Sequence, residues 1–239
     1  MALPKIQLPF FDVVIPSTAK KTKIRPMTVK EEKILLIAKQ ANTRSDQLNA
    51  IAQVVHNCLV DTALKTELMP LFDIEYLFLK IRQFSVSNIA KVSYKDNEDE
   101  KVYDFSIDLE KVEVDKSKQV PATFNLTDGK DGIVIVLKYP SLTDYKTYDS
   151  IEDPSQLIET MLTCCIEKVF EGSSAFKFAD ATPDEKKEFV QSIPSKCYAD
   201  IQKFFDGEPR LYYKIEYKNS AGTAREIELT SLEDFFTFA

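Results

Sequence analysis

Asp73-Ile74-Glu75-Tyr76-Leu77-Phe78-Leu79-Lys80-Ile81-Arg82 is the stretch on which the fold of this chain turns. Its apolar residues fall on nearly every side of a helix, and such a helix belongs at the centre of a domain or at an interface. Asp73 is placed to cap it. From residue 88 the hydrophobic period changes from that of a helix to two. Ile89 to Tyr94, Val102 to Leu109, Val112 to Val114, Val120 to Leu126 and Ile133 to Tyr139 then read as strands. The acidic tip Asp96-Asn97-Glu98-Asp99-Glu100 joins the first two as a hairpin.

Working back from the central helix, Ser45 can cap a helix through Leu48, Ile51, Ala52, Val55 and Cys58, one apolar stripe. Thr28 and Glu31 have capping-box spacing ahead of an apolar face at Ile34, Leu35 and Ala38. Before them lie two strands. Ile6, Leu8 and Phe10 alternate and run on through Phe11 to Ile15, and Pro16-Ser17-Thr18-Ala19 turns the chain into Thr22 to Arg25.

Working forward, Asp153 and Pro154 open a helix expected to run to Gly172, with Leu157, Ile158, Met161, Leu162, Cys165 and Val169 on it. Thr182-Pro183-Asp184-Glu185 opens another, and Ser195 a third that ends at Gly207. A hairpin, Leu211 to Tyr217 and Thr223 to Leu229, leads into a short helix at Ser231 to Phe238. The expected class is therefore α+β: a helical N-terminal block (1–87), a central antiparallel β-region (88–150), and C-terminal helices closed by a β-hairpin (151–239), as three segments or one compact unit. Lys91 to Asn97 and Lys214 to Ser220 resemble each other, each opening a hairpin, either by duplication or by the shared alternation rule.

The 239 residues carry 31 Lys+Arg against 38 Asp+Glu, a net charge of −7, with 44% hydrophobic residues. That composition is globular and argues against general nucleic-acid affinity, which rests on cationic side chains. One local basic stripe, Lys20, Lys21, Lys23, Arg25 and Lys30, could still meet nucleic acid or an acidic partner. The longest apolar runs, such as Ile133 to Leu137, fall far short of the about 20 residues that span a bilayer, so no membrane role is expected. Cys58, Cys164, Cys165 and Cys197 lack metal-module spacing and read as reduced, buried residues of a protein in a reducing cytosol.

Catalytic motifs are missing. Five glycines form neither phosphate-cradling loop, the Thr127 to Gly132 turn lacks the acids of a calcium loop, and the single histidine, His56, lies two residues from Cys58 and so on another helix face. No catalytic residue, cofactor or metal is expected, although a carboxylate-based enzyme site on the β-region remains the alternative. Two clusters rise above the background. In Lys30-Glu31-Glu32-Lys33, Glu31 caps while Glu32 and the lysines dress the exposed side; in the central helix, Glu75 or Asp73 can pair internally with Arg82 or Arg25.

These clusters also carry a family resemblance. Lys23-Ile24-Arg25-Pro26-Met27-Thr28-Val29-Lys30-Glu31-Glu32-Lys33-Ile34-Leu35-Leu36-Ile37-Ala38 is similar to the R-P-F-x-V-K-E-E-K-x-L-L-x-A signature of the baseplate hub proteins of T-even-like contractile-tailed bacteriophages. Phe72 to Arg82 resembles their second block, F-D-x-E-Y-x-F-L-x-L-R, and weaker echoes follow at Lys138-Tyr139-Pro140, Phe170-Glu171-Gly172, Phe204-Phe205 and Leu232 to Phe236. The resemblance implies a non-enzymatic hub subunit or assembly chaperone that works on other hub or tail proteins, in the host cytoplasm during assembly or in the virion baseplate. Arg25, Lys30, Glu31, Glu32, Asp73, Glu75, Tyr76 and Arg82 would be its scaffold or its docking face. Met27 stands where the signature has Phe. Tyr94 to Glu100 and Tyr217 to Gly222 stand where some relatives carry cysteines, so no metal site carries over.

Overall fold

The computed structural model describes residues 3, 4, 6–40, 43–129, 131–148 and 151–236. Their elements, in chain order, are β1 (Phe11–Val14), β2 (Lys21–Ile24), α1 (Val29–Gln40), α2 (Arg44–Cys58), α3 (Leu71–Ser85), β3 (Ile89–Lys95), β4 (Val102–Asp108), β5 (Glu113–Asp115), β6 (Thr123–Asn125), β7 (Ile133–Leu137), α4 (Leu142–Tyr148), α5 (Pro154–Cys165), β8 (Ile166–Glu171), β9 (Ser174–Lys177), α6 (Pro183–Gln191), α7 (Ser195–Asp206), β10 (Arg210–Lys218), β11 (Ala224–Leu229) and α8 (Leu232–Phe235). Helices and antiparallel sheets are both plentiful, and the class is α+β as expected.

The chain divides into two compact units whose borders cut across the expected segments. One contains residues 1–115 and 210–239, the other residues 116–209. The cause is a strand pairing between distant parts of the chain. β10 pairs antiparallel with β5, Leu211 opposite Val114, and with β11 on its other side, so the closing hairpin joins the N-terminal half. The expected β-region is split accordingly: β3 to β5 lie in the first unit, β6 and β7 in the second.

In the first unit, α3 is the central helix that its composition requires. Phe72, Ile74, Leu77, Phe78, Leu79 and Ile81 are buried along it. The β1–β2 hairpin is held to it by Phe11, whose ring stacks on that of Phe84 with centroids 3.9 Å apart. Residues 6–10 lie in no strand, so the first strand starts at Phe11 and not at Ile6. Pro9 explains part of this, since it has no amide to give a ladder. Thr43, not Ser45, caps α2, its hydroxyl accepting the Asp46 amide at 3.2 Å. Thr43 holds the extended backbone that a cap needs, while Ser45 is already helical.

The second unit packs the β6–β7–β8–β9 sheet against helices around Ile135, Leu137, Leu162, Ile166, Ile201 and Phe204. Here the expected helix to Gly172 is corrected: α5 stops at Cys165, and Ile166 to Glu171 is strand β8. β-branched and aromatic residues (Ile166, Val169, Phe170) favour a strand, and β7 pairs with them along its open side. Gly172, with φ of 55°, makes the β8–β9 turn instead of ending a helix. α4 has no counterpart in the expected elements; its start is marked by Ser141, whose amide and hydroxyl both donate to Asp144 at 2.8 and 2.7 Å. Thr182 opens α6 as expected and forms a capping box with Glu185, and α7 ends at Gly207 as expected. The last helix is shorter than expected, ending at Phe235, and residues 237–239 lie outside those described.

Candidate functional site

The first signature block folds around one ion pair. Arg25 follows β2, its amide donating to the Cys58 carbonyl at 2.9 Å, and its guanidinium is aimed at α1. There it grips Glu31 with two hydrogen bonds, Nη2 to Oε1 at 3.0 Å and Nη1 to Oε2 at 3.2 Å. The Thr28 amide and hydroxyl also donate to Oε2, at 2.9 and 2.6 Å. Glu31 has no exposed side-chain surface. Burial alone would raise its pKa, but the bonds from Arg25 and Thr28 overrule burial and hold the carboxyl at about 2. The Thr28–Glu31 pair is thus a cap by its carboxylate half. The hydroxyl gives its proton to Glu31 and accepts the Lys30 amide at 3.3 Å.

The second block meets the first at two points. The Met27 amide donates to the Ser85 hydroxyl at 2.8 Å at the end of α3. Asp73, fully buried, accepts the Ser17 amide at 2.9 Å and the Ser17 hydroxyl, which ties the β1–β2 turn to α3. Asp73 therefore does not cap the helix. Pro70 occupies the capping position, so α3 starts at Leu71 and Asp73 falls inside its first turn. The expected internal pairing of Arg25 with the α3 acids is likewise corrected, because Arg25 is committed to Glu31. Arg82 lies over the Phe236 ring at 5.7 Å, and the Lys80 ammonium lies 5.3 Å from the ring of half-buried Tyr76. Glu75 is also half-buried. Lys30 and Glu32, by contrast, are exposed on α1.

A second polar cluster joins the tips of the two similar hairpins. Asp96, fully buried, accepts the Tyr217 hydroxyl and pairs with Arg225 Nε at 3.3 Å. Asn219 donates to Glu98 at 2.7 Å, and Ser220 gives its amide and hydroxyl to Asp99 at 3.0 and 2.7 Å. Asp96, Glu98 and Asp99 are therefore spent on the partner hairpin. The hydrogen bonds of Tyr217 and Tyr103 hold the Asp96 and Asp99 carboxyls below the usual range. The echo between the sequences also recurs as geometry: Asp96 accepts the Glu98 amide, and Asn219, at the matching position, accepts the Ala221 amide. Removing the Tyr217 hydroxyl leaves buried Asp96 short of one donor, so Tyr217→Phe should lower the melting temperature by roughly 2–6 °C. Thermal unfolding followed by circular dichroism checks this, and an unchanged midpoint would show that the tips do not lock.

The basic stripe is largely spent within the chain. Lys20 pairs with Asp61 at 3.0 Å, Lys23 with Asp12 at 4.0 Å, and Arg25 with Glu31. All four cysteines are free thiols; burial raises Cys58 to about 11 and Cys165 to about 12, which leaves both as inert core residues at neutral pH. Among the described residues no three His, Cys, Asp or Glu side chains are grouped to hold a metal ion, and no helix is long and apolar enough to cross a membrane.

One comparison with known proteins decides the family: the family model described as T4 bacteriophage base plate protein matches residues 8–237. The chain belongs to this family. No curated protein and no solved structure matches it. In this base plate protein the two signature blocks build the centre of the first unit, with Glu31 and Asp73 in its interior and Arg25 half-buried beside them. Their exposed members have no such task. Sequence reasoning missed Ser17, Ser85 and Tyr217, which lie 56, 58 and 121 residues from the groups they hold. No local spacing marks bonds of that length. Only the hairpin echo hinted at the last.

Proposed function

We propose that this base plate protein acts in building the baseplate hub, without catalysis, through contacts with other hub or tail proteins in the host cytoplasm. One observation carries the reading. Large apolar side chains stand in solvent in groups of three on two segments: Leu3, Ile6 and Phe10 ahead of β1, and Val29, Leu36 and Ile37 on α1. Exposed apolar side chains grouped on one segment mark protein contacts. The polar clusters described above are internal ties whose donors and acceptors serve one another, and they fit a scaffold.

The test is a phage whose copy of this gene is silenced. It should yield infected cells without complete tails, and the wild-type chain supplied in trans should restore them; normal baseplates in its absence would sink the reading. A peptide count in purified virions against infected-cell lysate then separates the two forms of the role. A fixed stoichiometry in virions marks a hub subunit. Abundance in lysate with absence from virions marks a chaperone that leaves.

A further inference from the structure

We infer that the outward face of α1 docks an amphipathic helix of a different protein, one that carries carboxylates beside its apolar stripe. The inference rests on the proposed role in protein contacts and deepens it.

α1 has two faces of opposite character. Glu31 and Ala38, seven residues apart, are buried and fix the helix to the first unit. On the opposite side Val29, Leu36 and Ile37 are 72%, 61% and 70% exposed, spaced as i, i+7 and i+8, which places them along one stripe. These three side chains therefore bury little of their surface within the first unit.

Charge says what covers the stripe. Lys33 stands within it, Lys30 and Lys39 flank it, and Glu32 is the single acid on the exposed side. The three lysines pair with no carboxylate among the described residues, so a chain of net charge −7 keeps a local surplus of positive charge here. The Arg25–Glu31 pair behind the face neutralises itself and leaves that surplus intact. An incoming apolar helix with Asp or Glu at its margins would meet both features, as flanking charges do in helix pairing. A second copy of the chain fits poorly. Two-fold pairing of this face would bring the same lysines together, and like charges in contact oppose association. An anionic membrane would offer negative charge to the same lysines, so vesicles enter the test below as an outcome against the inference.

The test uses the full chain, supplied to infected cells that lack their own copy. Leu36→Ser/Ile37→Ser and Lys30→Glu/Lys33→Glu change only exposed side chains, so both should melt like the wild type while lowering phage yield at least tenfold. Suppressors of the charge reversal are expected to replace Asp or Glu with a neutral or basic residue on an apolar-striped helix of another baseplate protein. Wild-type yield from both variants would overturn the inference and leave the hub role standing. So would suppressors confined to this chain, a wild-type dimer that Leu36→Ser/Ile37→Ser dissolves, or binding to phosphatidylglycerol vesicles that Lys30→Glu/Lys33→Glu abolishes. Normal baseplates without any copy of the chain would strike the hub role itself, a different result.

Discussion

Glu31→Gln should destabilise the protein by about 3–5 kcal/mol, the loss expected when one partner of a buried pair is removed. Glutamine keeps the shape of the side chain and can still accept from Thr28. It leaves the Arg25 guanidinium, which is only 23% exposed, without a counter-charge. The loss therefore reflects a half-buried cation left with the Pro26 carbonyl as its acceptor, more than the missing bonds. Arg25→Leu/Glu31→Leu should recover most of the stability, because an apolar pair of similar volume removes both desolvation costs. Urea denaturation of the two variants measures this; a double variant as unstable as Glu31→Gln would show that the pair matters for its hydrogen bonds and not for its charge. The pH dependence follows from the same geometry. A folded pKa of about 2 lies below the ordinary 4.5, so the unfolded chain binds the extra proton between those values. The stability from Glu31 is complete above pH 4.5 and is lost as pH falls through 2.

How far the sequence announces these features depends on the range of the interaction. Hydrophobic period and capping residues are local, and they place the starts of α1 and α6 and both ends of α7 and of the closing hairpin strands within a residue or two. The same local rules mislead where a distant partner decides. Val169 continues the helical spacing of Leu162 and Cys165, yet β7 recruits it into β8, because the sheet offers hydrogen bonds along the whole segment. Asp73 looks like a cap in a seven-residue window; Pro70 starts the helix earlier, and the carboxylate turns to Ser17. Arg25 and Glu31 both draw attention as charges beside an apolar block. Their partnership spans six residues across a strand end and a helix start, a separation for which no helical or strand periodicity speaks. The border at residue 115 is hidden for the same reason, since it depends on β5 finding β10 nearly a hundred residues on.

Glu208 carries the opposite pH response, and it lies in the second unit. It follows the C-cap of α7, accepts the Tyr145 hydroxyl at 3.0 Å through Oε2, and has Oε1 buried with no hydrogen-bond partner. Burial pushes its carboxyl up to about 7, with the Tyr145 bond offsetting only part of the shift. A folded pKa above the ordinary 4.5 means that the folded chain holds the proton which the unfolded chain releases. The stability this group supports is present below pH 4.5 and is lost as pH rises towards 7. Above pH 7 the folded protein keeps an ionised carboxylate in a site that offers one donor, at a cost of about 3 kcal/mol. Glu208→Gln removes the titration and leaves an acceptor for Tyr145. The variant should match the wild type near pH 4.5 and exceed it by about 2–3 kcal/mol at pH 8. Hydrogen exchange followed by mass spectrometry, read over residues 116–209 at both pH values, places the gain in the second unit. Parallel wild-type and variant stabilities across that range would mean that Glu208 ionises freely in the folded protein. Since Glu31 favours higher pH and Glu208 lower, their two slopes meet near pH 4.5, and each variant should flatten only its own side of the profile.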